Sequence, residues 1–326
     1  MRANVSKIRH VSDFMSETIG QRGLFHNKQI AAAVVWPDLM LRAMTENVNR
    51  VVPIGEERDR EMLKGASTYT YRERPQGEIQ AHVFFPKKSS GKPRTLVVFF
   101  HGGFWESPSP AQFVPHCLHL ADRGAVTVAA ETRTTSRHGT GALEAIEDAR
   151  DLIRWLHHNA ATFEIDPERV VVCGAAGGAL LALMTTLPKE QELAPVDGLD
   201  CRAQALILFS ALVDAGAGSA AFSKFPDELS AKKNSPLRLL RRHLPPMIFF
   251  HGKADRIAPF AKVASFCRKA RWRSNSCELV DYEKAEHGFF NFNLSHHNFE
   301  LTIGAADRFL VEHGLLEADE NAVSEF

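Results

Sequence analysis

Six short apolar runs recur along the chain between helical patterns, and this alternation leaves few folds open. The runs are TLVVFFH (95–101), AVTVAAE (125–131), RVVVCG (169–174), AQALILFS (203–210), PPMIFFHG (245–252) and CELVDYE (277–283). Short, nearly continuous apolar runs suit strands buried on both faces, since a strand with one wet face alternates polar with apolar residues. Helical patterns lie at GALEAIEDARDLIRWLHHNA (141–160), ALLALMTTL (179–187), AKVASFCRKARW (261–272) and NFELTIGAADRFLVEHG (298–314). In the first of these Ile146, Ala149, Ile153 and Leu156 share one stripe. The pattern predicts an α/β fold, a mostly parallel central sheet with helices on both faces. STYTYRE (67–73) and EIQAHVFFP (78–86) flank the turn RPQG and predict an antiparallel edge.

Two stretches fall outside the alternation. Residues 1–65 read as irregular helical segments, with NKQIAAAVVWPDLMLRAM broken at Pro37; the other stretch is roughly 187–202 plus 214–243. Ligands of α/β sheets bind beyond the carboxyl ends of the strands, and added segments there form a cap. The expected organisation is N-terminal cap elements over 1–65, a catalytic domain over 66–316 with a cap insertion at about 214–243, and a tail over 317–326. A chain of 326 residues is long enough for a sizeable core. Its 39 basic and 39 acidic residues cancel, so no global field favours nucleic acid or an anionic membrane. Five scattered cysteines without CxxC spacing argue against a disulfide framework and a zinc ribbon, and no metal or cofactor is expected. MRANVSKIRHVSDFMSETIG has no continuous apolar segment, and no run approaches the ~18 apolar residues of a membrane span, which predicts a cytoplasmic protein. Oligomeric state is left open, a homodimer included.

Four constellations sit at the carboxyl ends of expected strands. His101-Gly102-Gly103-Phe104-Trp105 follows the first buried run; its glycine pair lets backbone N–H groups approach a ligand, as oxyanion donors must, although glycine pairs also form ordinary turns. VVVCGAAGGALLA (170–182) has the strand, turn and helix of a nucleophile elbow, with Gly174 and Gly178 flanking position 176. It lacks G-x-G-x-x-G and GK[ST], so a phosphate-binding loop is the weaker reading. Asp255, in HGKADRIAPF, stands where a carboxylate could orient a histidine, or could cap a turn. His287, in AEHGFFNF, precedes the last helix, and the chain order elbow, Asp, His matches a hydrolase triad. His251, His157-His158 and His296-His297 have no metal-ligand spacing and read as structural.

Taken together these motifs resemble the α/β-hydrolase fold, and more closely the hormone-sensitive-lipase-like esterases. The resemblance covers about residues 67–314. HGGFW is similar to that family's HGGG, IDPERVVVCGAAGGALLA to its DPxRI…GDSAGGxLA region, HGKADRIAP to HGxxDxxxP, and EHGF to its histidine loop. It implies ester hydrolysis through an acyl-enzyme, with an oxyanion hole at Gly102, Gly103 and Gly177, Asp255 as orienter and His287 as base. Residues 1–65 and 214–243 would be the variable cap. Phe104 departs from the third glycine, which makes HGGFW similar also to the HGGxW of arylformamidases, and ETRTTS (131–136) lacks the usual YR.

The largest departure is Ala176, which stands where the family has its nucleophilic serine. A methyl group cannot be deprotonated or attack a carbonyl. Cys173, inside the strand, and Ser210, at the end of the next one, are the nearby alternatives, and neither has the elbow's sequence. Two readings of Ala176 stand: an introduced Ser→Ala replacement that inactivates a serine carboxylesterase, or a natural non-catalytic ligand-binding protein on the same fold. The expected substrate is a short-acyl ester, acetyl included, of a small molecule or an acylated sugar, with an arylformamidase-like amidase as the further alternative. Phe104 and Trp105 could wall the substrate site or pack under the cap. The basic run KKNSPLRLLRRH (232–243) could draw an anionic substrate, or be a solvated face.

Overall fold

The computed structural model describes the backbone of residues 8–10 and residues 56–87, 91–189, 193, 196 and 198–318. Nine strands form one sheet: β1 Ile8–His10, β2 Ser67–Arg74, β3 Gly77–Phe84, β4 Arg94–Phe100, β5 Val126–Ala130, β6 Ile165–Ala175, β7 Ala205–Phe209, β8 Met247–Gly252 and β9 Cys277–Tyr282. Their order is β1-β9-β8-β7-β6-β4-β5-β3-β2. Every pair is parallel except β2 with β3 and β3 with β5, the expected antiparallel edge. The principal helices are α1 Glu56–Met62, α2 Val114–Asp122, α3 Ala142–His158, α4 Gly177–Met184, α5 Phe260–Trp272 and α6 His296–Glu312. This is the α/β-hydrolase arrangement.

Both faces of the sheet are dry because the central strands are apolar at every position. In β4, Leu96, Val98 and Phe100 join the core beneath α3, α4 and α5, while Val97 and Phe99 join the core beneath α2 and α6. In β8, Met247 and Phe249 take the first face and Ile248 and Phe250 the second. Each such side chain, buried outright, contributes about 1.5–3 kcal/mol of hydrophobic stabilisation before entropy is counted. The stripe Ile146, Ala149, Ile153 and Leu156 of α3 is buried as its spacing predicts.

The strand order reverses between β4 and β6, because β5 lies on one side of β4 and β6 on the other. Such a switch point opens a crevice at the carboxyl ends of the two strands. HGGFW leaves β4 there and Ala176 leaves β6 there. Between β7 and β8 the chain forms short helices at Phe222–Lys224, Glu228–Lys233 and Pro236–Leu239. Lys224 is ion-paired with Glu106, so this insertion lies against the loop after β4.

The N-terminal expectation is corrected at one point: Ile8–His10 is a strand paired in parallel with β9, not a piece of helical cap. The segment NKQIAAAVVWPDLMLRAM and most of the tail from 317 lie outside the described residues. Among the described residues no helix is long and apolar enough to cross a membrane.

Candidate active site

The turn after β6 has the backbone of a nucleophile elbow. Ala176 adopts φ 48 and ψ −111, and α4 starts at the next residue. Two glycines make this possible. A Cβ on Gly174 would lie 2.3 Å from the Gly178 carbonyl oxygen, and a Cβ on Gly178 would lie 2.1 Å from that of Phe100. No larger residue fits either place without moving backbone. The strained residue is held on three sides: its N–H donates to Phe209 O (3.1 Å), and its carbonyl accepts from Leu180 N–H (3.2 Å) and Leu212 N–H (3.3 Å). Gly177 opens α4, so its N–H has no partner inside the helix and sits at the positive end of the helix dipole.

The loop after β4 supplies the facing wall. Gly103, Phe104 and Trp105 have successive φ values of 96, 55 and 59, a reversal that only the surrounding contacts can hold. His101 pins its start: Nδ1 donates to Gly102 O (2.6 Å) and Nε2 accepts from Ser109 N–H (3.3 Å). Burial lowers the pKa of His101, which keeps the ring neutral for both bonds. Trp105 closes the loop against Gly177, whose notional Cβ would lie 3.3 Å from the indole. Phe225 of the insertion meets the same ring edge-on, with centroids 6.4 Å apart.

One expectation for this loop needs correction, and one choice left open by the sequence is decided. The Gly102 N–H donates to Gln112 Oε1 at 2.7 Å, so it is occupied and does not serve as an oxyanion donor. Gln112 continues through Nε2 to Asn291 Oδ1 (2.9 Å), tying the loop to the segment that follows His287. Trp105 is only 2% exposed, so its ring is packing beneath Phe225 rather than an open substrate wall. Phe104 is partly exposed and can present a face to a ligand.

Asp255 and His287 come together in space, as their chain order suggested. Asp255 Oδ1 accepts the N–H groups of Ile257 (2.9 Å) and Ala258 (2.8 Å), and Oδ2 accepts Nδ1–H of His287 at 2.8 Å. Burial alone would raise the Asp255 pKa; the hydrogen bonds from His287 and Ala258 and the charges of His287 and His251 outweigh it, and the carboxyl stays ionised below its usual range. With Nδ1 committed to the carboxylate, Nε2 is the ring nitrogen left for proton transfer. Gly252 makes the approach possible, since a Cβ there would lie 2.1 Å from Ala285 O. His251 is structural: it is fully buried, bonds Ala258 O through Nε2 (2.7 Å) and braces the Asp255 turn.

Neither alternative nucleophile is presented. Cys173 lies inside β6 with no exposure, and burial pushes its thiol pKa well up. Ser210 is nearer than its place in the chain suggests, because Ala175 pairs with Phe209 and residues 176 and 210 each follow the last residue of adjacent strands. Its φ is 43, but it is 0% exposed and its hydroxyl meets no partner. Residue spacing alone did not reveal the support beneath the site. Arg133 makes a two-pronged bond to Asp148, with Nη2 to Oδ1 at 2.8 Å and Nε to Oδ2 at 2.9 Å, and Asp148 is fully buried.

Known proteins share this fold. The BD-FAE family model matches residues 82–269. Esterase LipC of Mycobacterium tuberculosis is 26% identical over 228 residues, covering 64% of this chain and 56% of that protein. Carboxylesterase NlhH of the same species is 32% identical over 97 residues, covering 29% of this chain and 30% of that one. The chain spans little more than half the length of the curated relatives it matches, or less. Among solved structures, the propionate-bound esterase Est2 of Thermogutta terrifontis superposes with a TM-score of 0.73 at 34% identity, covering 79% of this chain and 97% of that one. The chain belongs to the BD-FAE family, on the α/β-hydrolase esterase fold.

Proposed function

We propose that this chain carries the site of a serine carboxylesterase for short-acyl esters with Ala176 at the nucleophile position, so that it binds such esters and barely hydrolyses them. The observation that carries the reading is the 2.8 Å His287–Asp255 bond beyond the same sheet edge as the strained residue 176. In a serine form, Oγ would give its proton to His287 Nε2 while attacking the ester carbonyl. The alcohol would leave with that proton, and water would then cleave the acyl-enzyme through the same base. Asp255 fixes the ring's tautomer and steadies the imidazolium. The N–H groups of Gly103 and Gly177 are the donors for the developing oxyanion.

The methyl of Ala176 has no proton to lose and no lone pair to donate. Loss of the serine from such a triad costs on the order of 10⁶ in kcat, and only oxyanion stabilisation and binding remain. Two observations support a short acyl group. Trp105 and Phe225 close the space beside Gly177, and the Thermogutta terrifontis esterase is known with propionate and with butyrate bound. The alcohol part is proposed to be a small molecule or a sugar.

The test is Ala176→Ser, assayed beside the parent on p-nitrophenyl acetate, propionate and butyrate, acetylated sugars and an N-formyl anilide. The parent should stay near background. The serine variant should gain about 10³-fold or more in kcat on short esters, with a burst of p-nitrophenol. A folded variant as inert as its parent would overturn the esterase reading and leave a ligand-binding protein. Preference for the formyl anilide would move the assignment to an amidase.

A further inference from the structure

The edge of the sheet opposite Ala176 holds a cavity of about 750 Å³. It is walled by the start of β6, the segments leading into β7 and β8, and the last turn of α3. These are the amino ends of strands whose carboxyl ends carry Ala176 and lead to Asp255. The cavity is therefore separate from the ester site.

Its walls are rich in hydrogen-bond donors. Among the described residues the Arg241 guanidinium bonds backbone carbonyls alone, those of Leu187, Thr186 and Arg242 at 3.2–3.4 Å, which hold it in place with no described acid paired to it. Arg242 is exposed and has no partner among the described residues. His157 presents an Nε2 that is shielded from solvent and meets no hydrogen-bond partner. Of the two acids at the wall, Asp200 is taken up by Arg202 (2.7 Å), which leaves Glu168 at the rim. The arginine turn is also fixed in advance: Asn275 bonds the Arg241 carbonyl (2.7 Å) and the Leu244 N–H (3.0 Å). A site already in its bound shape loses little entropy on binding.

We propose that this cavity binds an anionic oxyanion head group, that of a phosphate or sulfate ester, with Arg241 and Arg242 on the anionic head and His157 Nε2 donating to it. Guanidinium forks match the oxygen spacing of such groups. The volume falls within the range of small-molecule sites and leaves room for an organic body beyond the head. The basic run at 232–243 also finds its place. Lys232 pairs with Glu228 at 2.5 Å on a short helix, while Arg241 and Arg242 turn to the edge away from the ester site.

The experiment titrates the full chain with inorganic pyrophosphate, glucose 6-phosphate and glucose 6-sulfate, read by calorimetry and by Tm. Sodium chloride at matched ionic strength and plain glucose are the controls. Saturable one-to-one binding of a charged probe is expected, with a rise in Tm beyond the chloride control. Arg242→Gln and His157→Gln, which keep side-chain bulk, should each weaken it about tenfold or more. The ranking of the phosphate and sulfate probes identifies the head group. A response no larger than chloride gives, or one undiminished in both variants, overturns the proposal.

Discussion

Ala176 bears the strain of a nucleophile without the nucleophile's use. Its φ of 48 and ψ of −111 cost an L-residue about 1–3 kcal/mol. Glycine would relieve most of that, against about 0.5–1 kcal/mol of extra backbone entropy in the unfolded chain. Ala176→Gly is therefore expected to raise Tm and the urea midpoint modestly, and a lower Tm would mean the turn is not strained. Gly178→Ala is the converse: its Cβ would lie 2.1 Å from Phe100 O and 2.4 Å from His101 O, both backbone atoms. It should cost at least about 3 kcal/mol or abolish folding, read by the same urea melts. Asp255 and His287 were legible in the sequence because each follows a buried apolar run in hydrolase order. The fate of the Gly102 N–H was not. Its acceptor Gln112 is ten positions on, and Gln112 is steadied by Asn291, 179 positions further. Nothing local marks such a pair. The burial of Trp105 was hidden for the same reason, since Phe225 comes from a distant insertion.

At the scale of elements, the strands were legible and some of their neighbours were not. Runs such as TLVVFFH, short and rich in β-branched and aromatic residues, suit strands inside a two-faced core, and β4 is buried at every position. Helix α2, VPHCLHLAD, was missed: it is short, carries proline and two histidines, and no side chain caps its start. Three-residue β1 exists only through its pairing with β9, which no local pattern encodes. The element-level hinge of the site is the clasp between the loop after β5 and helix α3. Asp148 is fully buried and takes both the backbone N–H (2.8 Å) and the guanidinium of Arg133, which also reaches Glu147 at 2.6 Å. Asp148→Ala would leave a guanidinium buried without its main partner, and a loss of about 3–5 kcal/mol is expected in chemical denaturation. Replacing both residues by leucine should recover much of it. A double variant no more stable than Asp148→Ala would show that the clasp matters through something other than the buried charge.

Across the whole molecule, the two faces of the sheet share every central strand. Val97 and Val98, neighbours in β4, lie in different cores, so neither core can lose its packing while the strand stays in place. The insertion is bound into the same unit through Phe225 on Trp105 and through Lys224, which pairs with Glu106 and whose carbonyl lies 2.7 Å from a notional Cβ on Gly141. A chain of this length could well unfold in stages. The shared strands and the anchored insertion argue instead for one cooperative transition over the described residues. Tryptophan fluorescence provides the test. In a Trp36→Phe background, which removes the tryptophan outside the described residues, Trp105 reports the contact between the insertion and the loop after β4, Trp155 reports α3 in the first core, and Trp272, at 79% exposed, should change little. Melts followed by fluorescence and by far-ultraviolet circular dichroism should coincide, and Trp105→Phe should leave the remaining fluorescence transition at the same midpoint as the dichroism. If the insertion were an independent unit, the Trp105 signal would move first, at a temperature where the helical signal is still intact. That early step would also separate loss of the contact between the insertion and the loop after β4 from loss of the fold, because the Asp255–His287 pair belongs to loops of the sheet and would outlast it.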